Sequence, residues 1–233
     1  MTGWLDQPLF ALDTETTGTN PETARVVQSC IGRSGRIGEW TPKTRLINPG
    51  VPIPAEATAV HGITDDRVQT EGTLPVGPLT DMWTTLSWLA ASRTPLVAHN
   101  AAYDLTVLDR EFRRHVGEPI PDGLIVLDTL CLFRRFDWTT GGRSLSKLAA
   151  RYDITFPAHD AEADALASLK LLHILAVMND LLPLITPATL HEAQQCWWVQ
   201  QQDAAEARAL GSGTAFERQD CWPLIPFADG AES

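Results

Sequence analysis

The spacing of apolar positions divides this chain into strands first and helices afterwards. The run from Leu9 to Leu12, in PLFALDTETTG, is continuously apolar and predicts a buried strand with Asp13 and Glu15 placed on its end. RVVQSCIG (25–32) and IGEWTPKTRLIN (37–48) predict two further strands, separated by RSGR (33–36), where Gly35 can supply the turn. Three strands in quick succession make an antiparallel meander. The Pro-rich stretch NPGVPIPAEATAVHGIT (48–64) reads as a loop with one helical turn.

Beyond it the period changes to that of helices. Leu79, Met82, Trp83, Leu86, Leu89 and Ala90 recur at helical spacing, with Trp83 a packing residue. TPLVAHN (94–100) predicts a short buried strand, and Ala101 to His115 a helix whose apolar stripe is Leu105, Leu108 and Phe112. GLIVLDTL (123–130) gives another strand leading into an Arg-bearing helix, SLSKLAARY (144–152) a short amphipathic helix, and Asp160 to Met178 a long one. A meander followed by strands that alternate with helices implies an α/β fold, a mixed sheet of antiparallel meander plus parallel strands flanked by helices. Pro183 and Pro187 then punctuate the chain, and residues 189–210 form a separate helix stopped by Gly211 and Gly213. The division this predicts is a domain over 1–182 and a helical appendage over 183–233. Trp197, Trp198 and Trp222 lie in that appendage, so it must bury itself, by folding back on its own domain or against a second copy or a partner.

Composition narrows the class. With 44% apolar and 20% charged residues among 233, the chain is globular, and no apolar run is long enough for a membrane helix. MTGWLDQPLF carries no basic region followed by an apolar core, so a cytoplasmic location without membrane contact is expected. The four cysteines, Cys30, Cys131, Cys196 and Cys221, are far apart and form no Cys-x-x-Cys pair, which predicts buried, reduced thiols. The net charge of -11 opposes phosphate binding at first sight. Residues 190–233 hold seven acids against two bases, however, and if four acids in the rest of the chain hold two divalent cations its working charge falls to about -2. Two basic clusters stand out: Arg134, Arg135, Arg143, Lys147 and Arg151 around the single acid Asp137, and Arg110, Arg113 and Arg114. Each reads as a solvated face, or alternatively as a track for a phosphate backbone.

The candidate chemistry lies in the acids. Asp13 and Glu15 are two apart on a strand, so they share a face and repel each other unless something compensates. Asp104 follows Asn100, a helix cap, by four residues. In PAHDAEADAL, Asp160 is an N-cap, Glu162 suits the first turn, Asp164 sits on the helix, and His159 belongs to the loop before it. A loop histidine beside fixed carboxylates suits a general base at a metal site.

DTETTG, HNAAYD and HDAEAD occur in the order and with the internal spacings of the three motifs of the DnaQ-like DEDDh 3′-5′ exonuclease family, and AVHGIT resembles the family's segment near the terminal nucleotide. That family has the ribonuclease H-like fold and includes proofreading subunits of bacterial replicative DNA polymerases. The resemblance runs from about Leu9 to Met178. It implies that Asp13, Glu15, Asp104 and Asp164 hold two Mg²⁺, with Mn²⁺ able to substitute, and that His159 is the general base. It further implies that Thr16, Thr17, His61, Asn100 and Tyr103 line the substrate cleft, Tyr103 standing where many relatives have Phe. The activity implied is hydrolysis of nucleic acid from a free 3′ end, DNA favoured, releasing nucleoside 5′-monophosphates; a DNA polymerase partner or a homodimer through the appendage would fit the same picture. The alternatives are a 3′-5′ exoribonuclease and a non-catalytic nucleic-acid-binding or polymerase-accessory module.

Overall fold

In a computed structural model of the chain, residues 3–35, 39–137 and 139–227 are described. Their centre is a five-stranded sheet in the order β3-β2-β1-β4-β5, built from β1 (Phe10–Thr16), β2 (Val26–Ser34), β3 (Trp40–Leu46), β4 (Leu96–Ala98) and β5 (Val126–Asp128). β1 to β3 form the antiparallel meander, and β4 and β5 add in parallel beside β1. The mixed sheet is the one the sequence predicts. Of the 33–36 turn, Gly35 is described and its N–H donates to Glu39 O at 3.0 Å; Ile37 and Gly38, at the expected start of the third strand, lie outside the described residues.

The 48–64 stretch departs from expectation. The single turn expected there is a two-turn helix, α1 (Ala55–His61), and a second helix, α2 (Asp65–Glu71), follows directly beyond the stretch. Gly62 ends α1 at a positive φ of 71°, and Thr64 begins α2 by accepting the Arg67 N–H. Four apolar residues, Val27, Ile53, Ile63 and Val68, give this pair its own small core, so packing overrides a Pro-rich local sequence.

α3 (Val76–Ser92) and α4 (Ala101–His115) cover one face of the sheet, where Leu12, Val26 and Ile31 meet Leu79, Leu86, Leu105 and Phe112. The opposite face, carrying Leu9, Ala11, Cys30 and Val97, is covered by α5 (Thr129–Phe136), α6 (Leu145–Arg151) and α7 (Ala161–Met178). Strand alternation assigns successive residues of β1 to the two layers, and this is why Leu9 and Leu12 lie in different cores. Ala161 and Ala165, both fully buried, let the first turns of α7 sit close to the sheet.

The remaining helix, α8 (Pro187–Ser212), closes the open edge of β5. The edge groups of that strand are met by side chains: His191 Nδ1 accepts the Val126 N–H (3.1 Å), Gln194 Nε2 donates to Val126 O (2.8 Å), and Gln194 Oε1 accepts the Asp128 N–H (2.8 Å). Gln194 thus stands in for a sixth strand at an edge that would otherwise template pairing with another chain. Trp198 and Trp222 are buried in the α3–α4 core, and the Ile225 N–H donates to Thr106 Oγ1 of α4. The tail therefore lies back along its own chain.

Two further expectations are corrected here. Cys30 and Cys131 are buried, but Cys196 and Cys221 are exposed, since both belong to the surface of the tail. The Arg110 cluster is not a solvated face: the Arg110 side chain is only 4% exposed and is held by Glu22 (2.6 Å), Asp109 (2.8 Å), Ile225 O and the Phe227 ring. Arg113 pairs with Asp109 and Arg114 with Glu111, so this group pins the tail and the turn after β1 to α4.

Candidate active site

Asp13 and Glu15 share the α7 face of β1, and the strand runs through them to Thr16 rather than stopping before them. Between Glu15 and Thr16 the pairing with β2 slips, a bulge that re-aims the strand end. On its other side β1 pairs with β4 only at Phe10 and Ala11, so the backbone beyond is left open. Asp104 fills that opening. Its Oδ1 accepts the Thr14 N–H (3.1 Å) and the Thr14 Oγ1 hydroxyl (2.6 Å), which brings an acid from α4 to the strand.

The third motif arrives on α7. Asp160 caps that helix by accepting the Ala163 N–H, and Gln28 of β2 fixes the same end, accepting the Ala161 N–H (2.9 Å) and donating to Asp160 Oδ2 (3.3 Å). Asp164 then faces Glu15 from the first turns. His159 lies on the preceding loop in the left-handed region, φ 65°, with its N–H shared between the two Asp164 oxygens at 3.3 Å each. Non-glycine residues seldom adopt this conformation, and its appearance beside an acid cluster is the kind of local strain that collects at functional sites. Glu15, His159 and Asp164 each present a ligand atom within 4.8 Å of the others. Asp13 and Asp104 stand outside that circle, but their charges reach it.

Electrostatics shows how closely the four acids are gathered. Burial, then the charges of Asp104, Asp164 and Glu15, holds the Asp13 carboxyl well above the usual range. Burial with Asp164 and Asp104 pushes Glu15 up to about 8. Burial likewise raises Asp104 to about 7 against the two Thr14 bonds, and Asp164 to about 7 against the His159 N–H. Such a cluster fits hard divalent cations: its donors are carboxylate oxygens and one imidazole, while the neighbouring Cys30 thiol, raised to about 11 by burial, stays protonated and offers no thiolate.

The expected cleft residues are placed as follows. His61 ends α1 with Nδ1 accepting the Ile63 N–H, near the Thr16 backbone and the His159 ring. Tyr103 bonds through its hydroxyl to Thr16 Oγ1 (2.5 Å) and to Gly18 O, and is pushed up to about 12 by burial. Thr17 clasps Arg25 through two bonds of 2.9 Å. The Thr16 and Thr17 hydroxyls thus shape the turn after β1. Asn100 takes the left-handed conformation at the start of α4, φ 66°, but its side chain caps nothing. The cap is Asp128 instead, which accepts the N–H groups of Asn100 (2.9 Å), Ala101 (3.1 Å) and Leu130 (2.9 Å), together with Trp222 Nε1 (3.2 Å). One buried carboxylate therefore starts both α4 and α5. Sequence reading passed over Asp128; an Asp directly before a helix is a local signal for the α5 cap, and nothing local signals the second role.

A mixed five-stranded sheet with its meander, flanked by helices and with acids converging at the end of the first strand, is the ribonuclease H-like fold. The exonuclease family model named RNase T matches residues 10–172, and the chain belongs to that family. A DNA polymerase III subunit epsilon-like protein of Rhodobacter capsulatus is 37% identical over 172 residues, covering 70% of this chain and 23% of that protein. A PolC-type DNA polymerase III of Streptococcus pneumoniae is 30% identical over 170 residues, covering 70% of this chain and 11% of the polymerase. The chain thus spans less than a quarter of the length of either. Among solved structures, E. coli Exonuclease I in complex with a dT13 oligonucleotide superposes with a TM-score of 0.63 at 21% identity, covering 73% of this chain and 41% of that one. Exonuclease X in complex with 5′ overhanging duplex DNA superposes at 0.58 and 23% identity, covering 80% and 99%.

Proposed function

We propose that this chain is a divalent-cation-dependent 3′-5′ exonuclease that releases nucleoside 5′-monophosphates from single-stranded DNA. The observation that carries the reading is the convergence of Glu15, His159 and Asp164 within 4.8 Å, with Asp13 and Asp104 pressing their charges on the same point. Asp13, Glu15, Asp104 and Asp164 would hold two Mg²⁺, or Mn²⁺ in their place, and cations there supply charge neutralisation at the phosphate and at the departing 3′ oxygen. The protein's own work is then positional. The β1 bulge and the Thr14 bonds fix three of the acids, while the His159 ring, exposed on its loop, takes the proton of the attacking water. His61 and Tyr103 wall the cleft around the 3′-terminal nucleotide.

The epsilon-like relative raises a polymerase partner for the tail, but burial of Trp198 and Trp222 in the chain's own core favours an internal closure. Digestion of matched 5′-labelled single-stranded DNA, duplex DNA and RNA, with Mg²⁺ and with chelator, tests the proposal. A cation-dependent ladder shortening from the 3′ end, fastest on single-stranded DNA, is expected. Faster loss of RNA would reassign the substrate, and intact substrates throughout would replace the enzyme with a binding module.

A further inference from the structure

The Arg134 to Arg151 cluster divides in two. Arg143 and Arg151 close on Asp137, at 3.5 and 2.9 Å, and brace the loop before α6. Arg134 and Arg135 project from the end of α5 into a cavity of about 540 Å³, which Arg143 also lines and whose far wall is α8, with Trp197, Gln201 and Arg208. Among the described residues neither arginine of α5, nor Arg208, has a carboxylate within ion-pair distance. Two of the three acids of α8 are drawn elsewhere, because Asp203 and Glu206 both pair with Arg218. Desolvation lowers the Arg134 guanidinium from its ordinary range, with Arg208 and Arg143 adding to the fall and Asp128 opposing it, so several cations face one another here on an acidic protein. Uncompensated like charges gathered around a cavity mark an anion site.

The lining also carries an aromatic platform. The Trp197 ring meets Phe136 edge-on at 5.4 Å and stacks under Arg135 at 5.5 Å, and it remains half-exposed. Cations beside a tryptophan that is only partly covered are the elements of single-strand recognition, phosphate by guanidinium and base by ring. One short segment links the pocket to the helix of the acid cluster: His99 lies against Arg134 and the Arg143 backbone, and Asn100, next in sequence, starts the helix that carries Asp104. α8 lies beyond residues 10–172, so this wall is an addition to the family domain.

We infer that the α5–α8 cavity is a phosphate site that holds the single strand upstream of the nucleotide at the carboxylates, with Arg134, Arg135 and Arg208 on its phosphates and Trp197 on a base. This rests on the nuclease reading above. The test is fluorescence anisotropy of a labelled thymidylate dodecamer in Ca²⁺ buffer, for the wild type, Arg134→Gln/Arg208→Gln and the charge-keeping Arg134→Lys/Arg208→Lys. Removing two phosphate contacts is expected to weaken binding about tenfold and to flatten the logarithmic salt dependence by about 1.4, at roughly 0.7 per contact for a single strand. The Lys pair should keep the salt slope. Equal affinity and slope for the Gln pair and the wild type would overturn the inference. Hydrolysis of the minimal substrate thymidine 5′-monophosphate p-nitrophenyl ester should be the same in all three proteins. If none of them hydrolyses it or a long strand, the nuclease reading falls, while the anisotropy comparison still decides the pocket.

Discussion

Glu15→Gln isolates the load that the acid cluster places on the cation-free protein. Burial, Asp164 and Asp104 move the Glu15 carboxyl from 4.5 to about 8. A carboxyl raised by folding keeps its proton longer in the native state, so the native chain binds more protons than the unfolded one between those values. Stability then falls as pH climbs through the interval. His61, His99 and His191, lowered chiefly by burial, act in the opposite sense, but only below about pH 6.5, where the unfolded chain takes up their protons. The window from about pH 6.5 to about pH 8.5 therefore belongs to the carboxyls. At about 1.4 kcal/mol per unit, Glu15 loses about 2 kcal/mol across it, and Asp104 and Asp164, at about 7, add about 0.7 kcal/mol each. A total of about 3 kcal/mol corresponds to a fall in Tm of roughly 6 to 12 °C for a domain of this size. Thermal denaturation followed by circular dichroism in EDTA, at both ends of the window, measures it. The variant should lose most of that fall and outlast the wild type at the upper end, and millimolar Mg²⁺ or Mn²⁺ should restore the wild type most where it is weakest. Parallel pH dependence of the two proteins, or a wild type that gains stability with pH, would refute the reasoning.

Asp164→Asn removes a carboxylate that faces Glu15 and anchors the His159 loop, so hydrolysis of a labelled strand should drop to background while circular dichroism keeps the native spectrum. His159→Ala should slow hydrolysis by roughly 10² to 10⁴, as for loss of a general base, with the Mn²⁺-induced rise in Tm retained. Loss of that rise would make His159 a ligand instead. Gln194→Leu leaves Val126 O and the Asp128 N–H buried without partners; at about 1 to 3 kcal/mol for each, urea unfolding should show a loss of about 2 to 6 kcal/mol, and an unchanged midpoint would remove the edge-closing role.

The order of the elements and the motifs they carry could be read along the chain before any fold was known. The apolar run of β1 and the helical spacings of α3 and α4 were legible because a strand buried on both faces, or a helix buried on one, writes a pattern into the chain. Asp-x-Glu on a strand, Asp four after an Asn at a helix start, and His before an Asp-capped helix were legible for the same local reason. Bonds between residues far apart in sequence leave no periodic trace and are visible only once the chain is folded. Asp104 reaches Thr14 because β4 is too short to pair with the end of β1. Gln28 meets Ala161 across 133 residues, Gln194 meets Asp128 across 66, and Asp128 serves two helices at once. The basic clusters looked alike as text, yet Arg110 is locked inside an ion-pair network while Arg134 faces an open cavity. Charge in a sequence counts only ions, and whether an ion is matched depends on which acid the fold brings within reach.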